Sequence, residues 1–330
     1  MLKPYEQRFP WNLDWNLLRT FVVVVDEGGI TPAAHFLRLK QPTISAALKR
    51  LEDITGRKLV NRSPKHFSVT PWGRVLYAEA SVIFGAVTQL PDLLDGLEED
   101  VTGQISIAMA SHVVSPHFDA VLERFNALYP RVSYTISTMD SADVIAHLQQ
   151  NRVTCGVCLF QDRPAGLEAR VLYREYFGLF CGPPHRLYGR DDIDITELRN
   201  EDVVSFQTDE IDGPLSGVAH MRRRLGMRSD PKGLSSNLPE VRRMIVANIG
   251  IGALPLHVAR RDVRAGLLWQ VPPYKSLPAV DIHMLTNARR SLNRAEQALL
   301  EMLNAELDSL PLVDRTYGVS TQDGFVAQIG

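Results

Sequence analysis

The chain has 330 residues, 45% hydrophobic and 22% charged with a formal net charge of -2, which fits globular folding in more than one domain and excludes a disordered or collagen-like chain. Three cysteines, Cys155, Cys158 and Cys181, are too few for a secreted disulfide scaffold, and the opening MLKPYEQRFPWN lacks the basic-then-apolar order of a signal peptide. The longest apolar runs, such as residues 21–25, fall far short of the ~20 residues needed to cross a bilayer, so a soluble cytosolic protein with no membrane partner is expected.

The charge is divided. Residues 1–74 carry 12 Lys and Arg against 6 Asp and Glu, leaving 24 against 32 for the rest. A basic head attracts a polyanion and an acidic body repels one, which suggests a nucleic-acid reader on a larger module. An ordinary solvated surface carries the same imbalance, so charge alone does not decide.

Residues 1–13 read as an N-terminal extension. Asp14 is a good N-cap, and Leu18, Phe21, Val22 and Val25 recur at helical spacing until Gly28 and Gly29 stop the run. Thr31 and Pro32 read as N-cap and first residue of a second helix, with Ala33, Ala34, Leu37 and Leu39, ending near Lys40. Pro42 opens a third helix. Its Ile44, Ala47, Leu48, Leu51 and Ile54 form an apolar stripe, Thr43, Ser45, Ala46, Lys49, Arg50 and Asp53 face out, and Gly56 ends it. Two short helices, the second with a small polar and basic outer face, describe a helix-turn-helix with its recognition helix in the major groove. Thr43 and Ser45 let the backbone approach phosphates, Gln41 can pair with adenine, and Lys49 or Arg50 can reach guanine or phosphate. Lys58 to Val69 reads as strand, turn and strand, a wing with Arg62 and Lys65 near the phosphates. A plain three-helix packing unit would share the periodicity.

Ala33, Ala34, Leu37, Gln41, Pro42, Ser45, Leu48, Leu51, Glu52, Gly56, Leu59, Arg62, Thr70 and Gly73 resemble, in order and spacing, the N-terminal signature of the LysR-type transcriptional regulators. The likeness is dense over roughly sixty residues and holds in outline beyond them; the extension before Asp14, Pro32 and Lys40 depart from it. The resemblance implies an α+β winged helix-turn-helix DNA-binding domain at 14–70. A linker helix at 71–102 then leads to an α/β two-lobed, periplasmic-binding-protein-like effector domain at 103–310. It also implies a bacterial cytoplasmic, nucleoid-associated regulator, pairing of linker helices between two copies, and a homodimer or homotetramer on an interrupted operator dyad of double-stranded DNA. RNA polymerase is a further implied partner; no cofactor, metal or catalysis is.

Thr70 and Pro71 start the linker pattern, which Val75, Leu76, Ala78, Ala80, Ile83, Val87 and Leu90 continue for about 30 Å. Pro91 predicts a kink or restart, and the acidic run Glu98, Glu99, Asp100 leads to Gly103, a hinge. In the body, Ile105, Ile107 and Met109 alternate as a strand and Phe118 to Leu128 as a helix; strand Val203 to Phe206 and helices Pro214 to Leu225 and Leu238 to Asn248 form a second set. Strand Val280 to Leu285 and helix Leu292 to Leu307 resemble the elements that rejoin the first lobe in the family, giving lobe I about 103–180 and 276–310 and lobe II about 181–275. The tail 311–330 has no clear periodicity, leaving disorder and docking on a neighbour both open.

Ligands of open α/β sheets sit beyond the strand C-termini, which makes the cleft between lobes the site for a small-molecule effector. Ser111 and His112 follow the first body strand and precede a helix N-terminus that could hold a carboxylate, favouring an anionic organic effector. The resemblance carries over Ser111, Met139, Asp140 and Ser141, Phe206, Gln207 and Asn237. Against these, Ser111 also reads as a cap of its own helix, His112 as a satisfied surface histidine and Phe206 as core.

Cys155 and Cys158 have redox or zinc spacing, but in a strand i and i+3 point to opposite faces, so they read as buried structural thiols; a redox-responsive regulator using Cys155, Cys158 or Cys181 is the alternative. Gly250 and Gly252 read as a tight turn, and Arg222, Arg223 and Arg224 as the solvated face of a helix. The rivals are an enzyme using His112 or a cysteine nucleophile, for which no triad appears, and an architectural DNA-binding protein, which leaves the large body unexplained.

Overall fold

The computed structural model describes residues 13–63, 66–88, 90 and 101–318. It divides into two compact units, residues 1–94 with 150–152 and the remainder, each described by itself. Pro91, Lys65, the acidic run at 98–100, the extension up to residue 12 and the tail from 319 lie outside the described residues.

In the head, α1 (Trp15–Asp26) is capped by Asp14, whose carboxylate accepts the Asn16 N–H. Gly28 supplies the left-handed φ of 68° that ends it. Helix α2 (Ile30–Phe36) starts on Gly29, ahead of the expected Thr31. The Gly29 carbonyl already accepts the Ala33 N–H at 3.2 Å, and Pro32, lacking an N–H, fits the first turn, where donors have no helical acceptor. Helix α3 (Gln41–Thr55) has Lys40 as N-cap, with Pro42 inside its first turn, and ends on left-handed Gly56. Ile44, Leu48 and Leu51 are fully buried against Leu18, Phe21 and Val22 of α1.

Strands β1 (Val60–Ser63) and β2 (His66–Val69) pair antiparallel, Arg62 opposite Phe67. Glu52 of α3 fixes the root of this wing by accepting the N–H groups of Leu59 at 2.9 Å and Val60 at 3.3 Å. Thr70 caps α4 (Pro71–Thr88) by accepting the Gly73 N–H, while its hydroxyl donates to the Lys58 carbonyl. Winged helix-turn-helix architecture follows from these elements.

The body is built on strands in the order β4-β3-β5-β11-β6-β9-β7-β8: β3 (Gly103–Ala110), β4 (Val132–Met139), β5 (Cys155–Cys158), β6 (Glu168–Cys181), β7 (Val203–Phe206), β8 (Gly233–Ser235), β9 (Ile251–Pro255), β10 (Trp269–Val271) and β11 (Ala279–Thr286). Strand β6 belongs to both lobes. It pairs with β11 up to Tyr176 and with β9 from Phe177 onward, so the chain passes between lobes within one continuous strand. In the first lobe, Ile105 and Ile107 pack with α5 (Pro116–Leu128) and α10 (Arg294–Ser309), while Ala108 faces α6 (Ser141–Gln149). The second lobe adds α7 (Ser216–Arg224), α8 (Leu238–Val246) and α9 (Leu256–Arg264).

Three readings of the sequence are corrected here. Gly250 and Gly252 are not a tight turn: residues 251–255 form the buried strand β9, and the bare Gly252 lets Ile245 of α8 lie where a Cβ would meet it at 2.6 Å. Arg222 is not on a solvated face; it is 7% exposed and paired with Asp209. Gly103, where the linker meets the body, is the first residue of β3, in register with Val132 and with a positive φ of 126°. The start of the tail is ordered, since β12 (Thr316–Tyr317) pairs parallel to β6 and Arg315 donates to the Val171 and Leu172 carbonyls.

Candidate functional site

On the head, Gln41, Pro42, Thr43, Lys49 and Arg50 are exposed and Ser45 is half-buried. No side chain caps the start of α3, so the positive end of its dipole stands beside short polar side chains, an arrangement suited to a phosphate. Arg50 lies 3.8 Å from Asp14; Arg50 is exposed and Asp14 half-buried, and such a surface pair is weak enough for a polyanion to displace. Arg62 occupies a β1 position, and Lys65 is outside the described residues.

On the body, the helix terminus expected beside Ser111 is already filled: Ser115 caps α5 by accepting the Phe118 N–H. Ser111 reaches the other lobe. Its hydroxyl donates to the Ser236 carbonyl at 3.1 Å and accepts the Leu238 N–H, the first of α8, at 3.0 Å. Asn237, the N-cap of α8, makes no capping bond with its side chain, and its Oδ1 is buried without a partner. Gln207 is exposed and Phe206 buried. Met139 is half-buried at the end of β4, Ser141 is buried at the start of α6, and Asp140 caps that helix by accepting the Asp143 N–H. Among the described residues no hydrogen bond links Met139, Asp140, Ser141 or Gln207 to Ser111 or His112.

His112 is not a surface histidine. It is 7% exposed, its ring meets Phe206 edge-on at 6.4 Å, and Nε2 has no partner. Burial, with a smaller contribution from His257, pushes its pKa down to about 4. Neutral at ordinary pH, it offers an approaching ligand hydrogen bonds rather than charge. A histidine with a depressed folded pKa stabilises fully above its unfolded value of about 6.5 and loses that stability as pH falls toward 4, by roughly 3 kcal/mol at most. His112→Gln is therefore expected to lose less stability than the parent between pH 6.5 and 4, measured by urea unfolding; parallel curves would contradict the assignment.

The cysteines are all buried. Cys155 packs with Ile105 and Ile107 and Cys158 with Val144 and Leu148, on opposite faces of β5. Burial pushes all three thiols up to about 12, away from the thiolate that oxidation requires.

Sequence reasoning missed Ser236 and the Leu238 N–H, the Asp209–Arg222 pair behind the Gln207 loop, and a buried Glu175 beside His257. Only Glu175 left a signal: a carboxylate on the same strand face as Tyr173 and Phe177, in an otherwise apolar alternation.

The model of the bacterial regulatory helix-turn-helix protein, lysR family, matches residues 15–74, and that of the LysR substrate binding domain matches residues 98–308. The chain is 26% identical to the transcriptional regulator CysL of Bacillus subtilis over 76% of its length and 83% of that protein. It is 25% identical to PtxR of Pseudomonas aeruginosa over 91% and 95%. Among solved structures, the LysR family regulator CbnR superposes with a TM-score of 0.63 at 16% identity, covering 89% of this chain and 99% of that one. A full-length OxyR variant from Pseudomonas aeruginosa gives 0.58 at 16%, covering 93% and 99%. Among the described residues no helix is long and apolar enough to cross a membrane.

Proposed function

The chain belongs to the LysR family of bacterial DNA-binding transcription regulators, and we propose that its two-lobed body senses a small organic effector and passes that event to paired winged heads. The observation that carries this is the Ser111 hydroxyl of one lobe holding the Ser236 carbonyl and the Leu238 N–H of the other. A carboxylate entering the cleft would compete with Ser111 for the first N–H of α8, where the helix dipole favours an anion. Breaking the bridge biases one lobe arrangement over another. Redistribution of lobe arrangements in a dimer or tetramer then changes the spacing or bend of the heads on an operator dyad.

Double-stranded DNA is the macromolecular partner, a reading supported by the structure of CbnR with its target DNA; RNA polymerase is a further one, in the bacterial cytoplasm at the nucleoid. We assign base contacts to Gln41, Thr43 and Ser45 on the helix that Pro42 helps start, and phosphate contacts to Lys49, Arg50, Arg62 and Lys65. No catalytic step is assigned. The redox alternative loses ground because the three thiols are buried and protonated.

Thermal unfolding against a panel of organic acids, amines and neutral metabolites tests the cleft. At a hundredfold excess over Kd a ligand adds about 3 kcal/mol, read as a rise of roughly 5–10 °C, and Ser111→Ala is expected to abolish the response to an organic acid. An undiminished organic-acid response in that variant would remove the site. For the head, replacing Lys49 and Arg50 by Ala is expected to lower the slope of log affinity against log salt by about 2 in anisotropy titrations. A double variant that binds like its parent would remove the assigned face.

A further inference from the structure

Glu175 lies on β6 one residue before Tyr176, the last to pair with β11 before the strand turns to β9. It is 0% exposed, and neither carboxyl oxygen has a hydrogen-bond partner. His257 of α9 faces it, Nδ1 3.9 Å from Oε2. The other ring nitrogen, Nε2, contacts the Val114 carbonyl at 3.1 Å. A carbonyl only accepts, so Nε2 carries the hydrogen, and Nδ1 of the neutral ring is a bare acceptor. Burial holds the ring neutral by lowering its pKa. Nδ1 is also buried and without a partner.

Both carboxyl oxygens of Glu175 and Nδ1 of His257 are thus buried side by side without a hydrogen-bond partner, and all three are acceptors once Glu175 is ionised. Leaving buried acceptors unsatisfied costs about 1–3 kcal/mol each. Aromatic rings pack beside His257: Tyr317 lies 5.0 Å from it and 5.0 Å from Tyr173, centroid to centroid. Of the neighbouring cations, Arg315 is bonded to the Leu310, Val171 and Leu172 carbonyls, and Arg260 acts on His257 through its charge, helping to keep the ring neutral.

We propose that Glu175 and His257 form a hinge subsite for the ammonium group of an amine-bearing effector. An ammonium presents three N–H donors to three acceptors, which one water with two cannot match, and tyrosine faces favour a cation. On binding, Glu175 releases to solvent the proton that burial makes it hold when the site is empty. The inference rests on reading the cleft as the effector site and extends that site to the hinge. Ser111 and Val114, three residues apart, are bonded respectively to the α8 start and to His257, so the two points lie within about 10 Å along the loop. An effector reaching both carries an amine beside its acid.

The test is thermal unfolding of the full chain at pH 8 with methylammonium chloride, against sodium chloride at equal ionic strength. A saturable rise of a few degrees specific to methylammonium is expected, lost in Glu175→Gln and kept in Ser111→Ala. The ring nitrogens of His257, followed by 15N NMR, are expected to shift with the same saturation. Without ligand, Glu175→Gln is expected to melt above the parent at pH 8, because folding the parent must protonate or bury a carboxylate that is ionised in the unfolded chain, a cost the amide avoids; that also shows the variant folds. A response equal to that of sodium chloride, or one that survives in Glu175→Gln, overturns the subsite and leaves the cleft reading standing. Failure of the organic-acid panel with a positive methylammonium response would do the reverse.

Discussion

Gly73→Ala is expected to destabilise the head by about 3 kcal/mol or more, beyond the usual 1–3 kcal/mol of overpacking, and to abolish DNA binding. A Cβ on Gly73 would sit 2.1 Å from the Leu59 carbonyl oxygen and 2.7 Å from Cγ1 of Val69. Relief by movement is blocked, because Leu59 is held at both ends of its backbone. Its N–H donates to Glu52 at 2.9 Å and its carbonyl accepts the Thr70 N–H at 2.9 Å. The same carbonyl therefore sets where α4 leaves the wing, and pushing it away breaks the Thr70 cap together with the root of β1. Gly29→Ala is the control: its Cβ would meet only Pro32 at 3.6 Å, in extended backbone, and a change within about 0.5 kcal/mol is expected. Melting of the full chain followed by circular dichroism, with anisotropy on operator DNA, separates the two. A Gly73→Ala protein that melts and binds like its Gly29→Ala counterpart would refute the packing argument.

Gly73 also shows what the sequence made legible. Its place in the LysR signature was visible, but its reason, a carbonyl fourteen residues earlier in the chain, was not. Helices α1 and α3 declared themselves because their buried residues recur at helical spacing and their ends carry Asp14, Gly28 and Gly56. Helix α2 did not give its start, since Gly29 has no side chain to advertise a cap and Thr31 advertises one it does not make. Strand β9 was missed because five consecutive buried residues have no alternation to detect. In the cleft, Ser111 was legible as a residue but not as a bridge. Its partners lie 125 and 127 positions away, and only the folded second lobe brings them to it. Arg222 misled because its neighbours Arg223 and Arg224 are exposed, and a run of like charges conceals the one member that turns inward.

Arg222→Met is expected to destabilise the body by about 3–5 kcal/mol at pH 8, the cost of leaving one member of a buried ion pair alone, or roughly 10 °C in Tm. The Arg222 guanidinium contacts the Asp209 carboxylate at 3.1 Å and donates to the Asp209 backbone carbonyl at 3.1 Å. Ser205 donates to the same carboxylate at 2.7 Å. The pair thereby clamps the turn after β7 that carries Gln207, so its loss should also loosen the cleft wall. Burial pushes the Asp209 carboxyl up to about 6 even with the guanidinium opposing it. For an acid whose folded pKa lies above its unfolded one, stability falls as pH rises between the two. Without Arg222 the folded pKa moves higher still, so the falling limb extends further upward in pH. The deficit of Arg222→Met is therefore expected to shrink as pH is lowered from 8 toward 5, and Asp209→Asn added to it should recover much of the loss at pH 8. A deficit constant across that range, with no recovery in the double variant, would mean that Arg222 contributes packing of its aliphatic stem rather than charge.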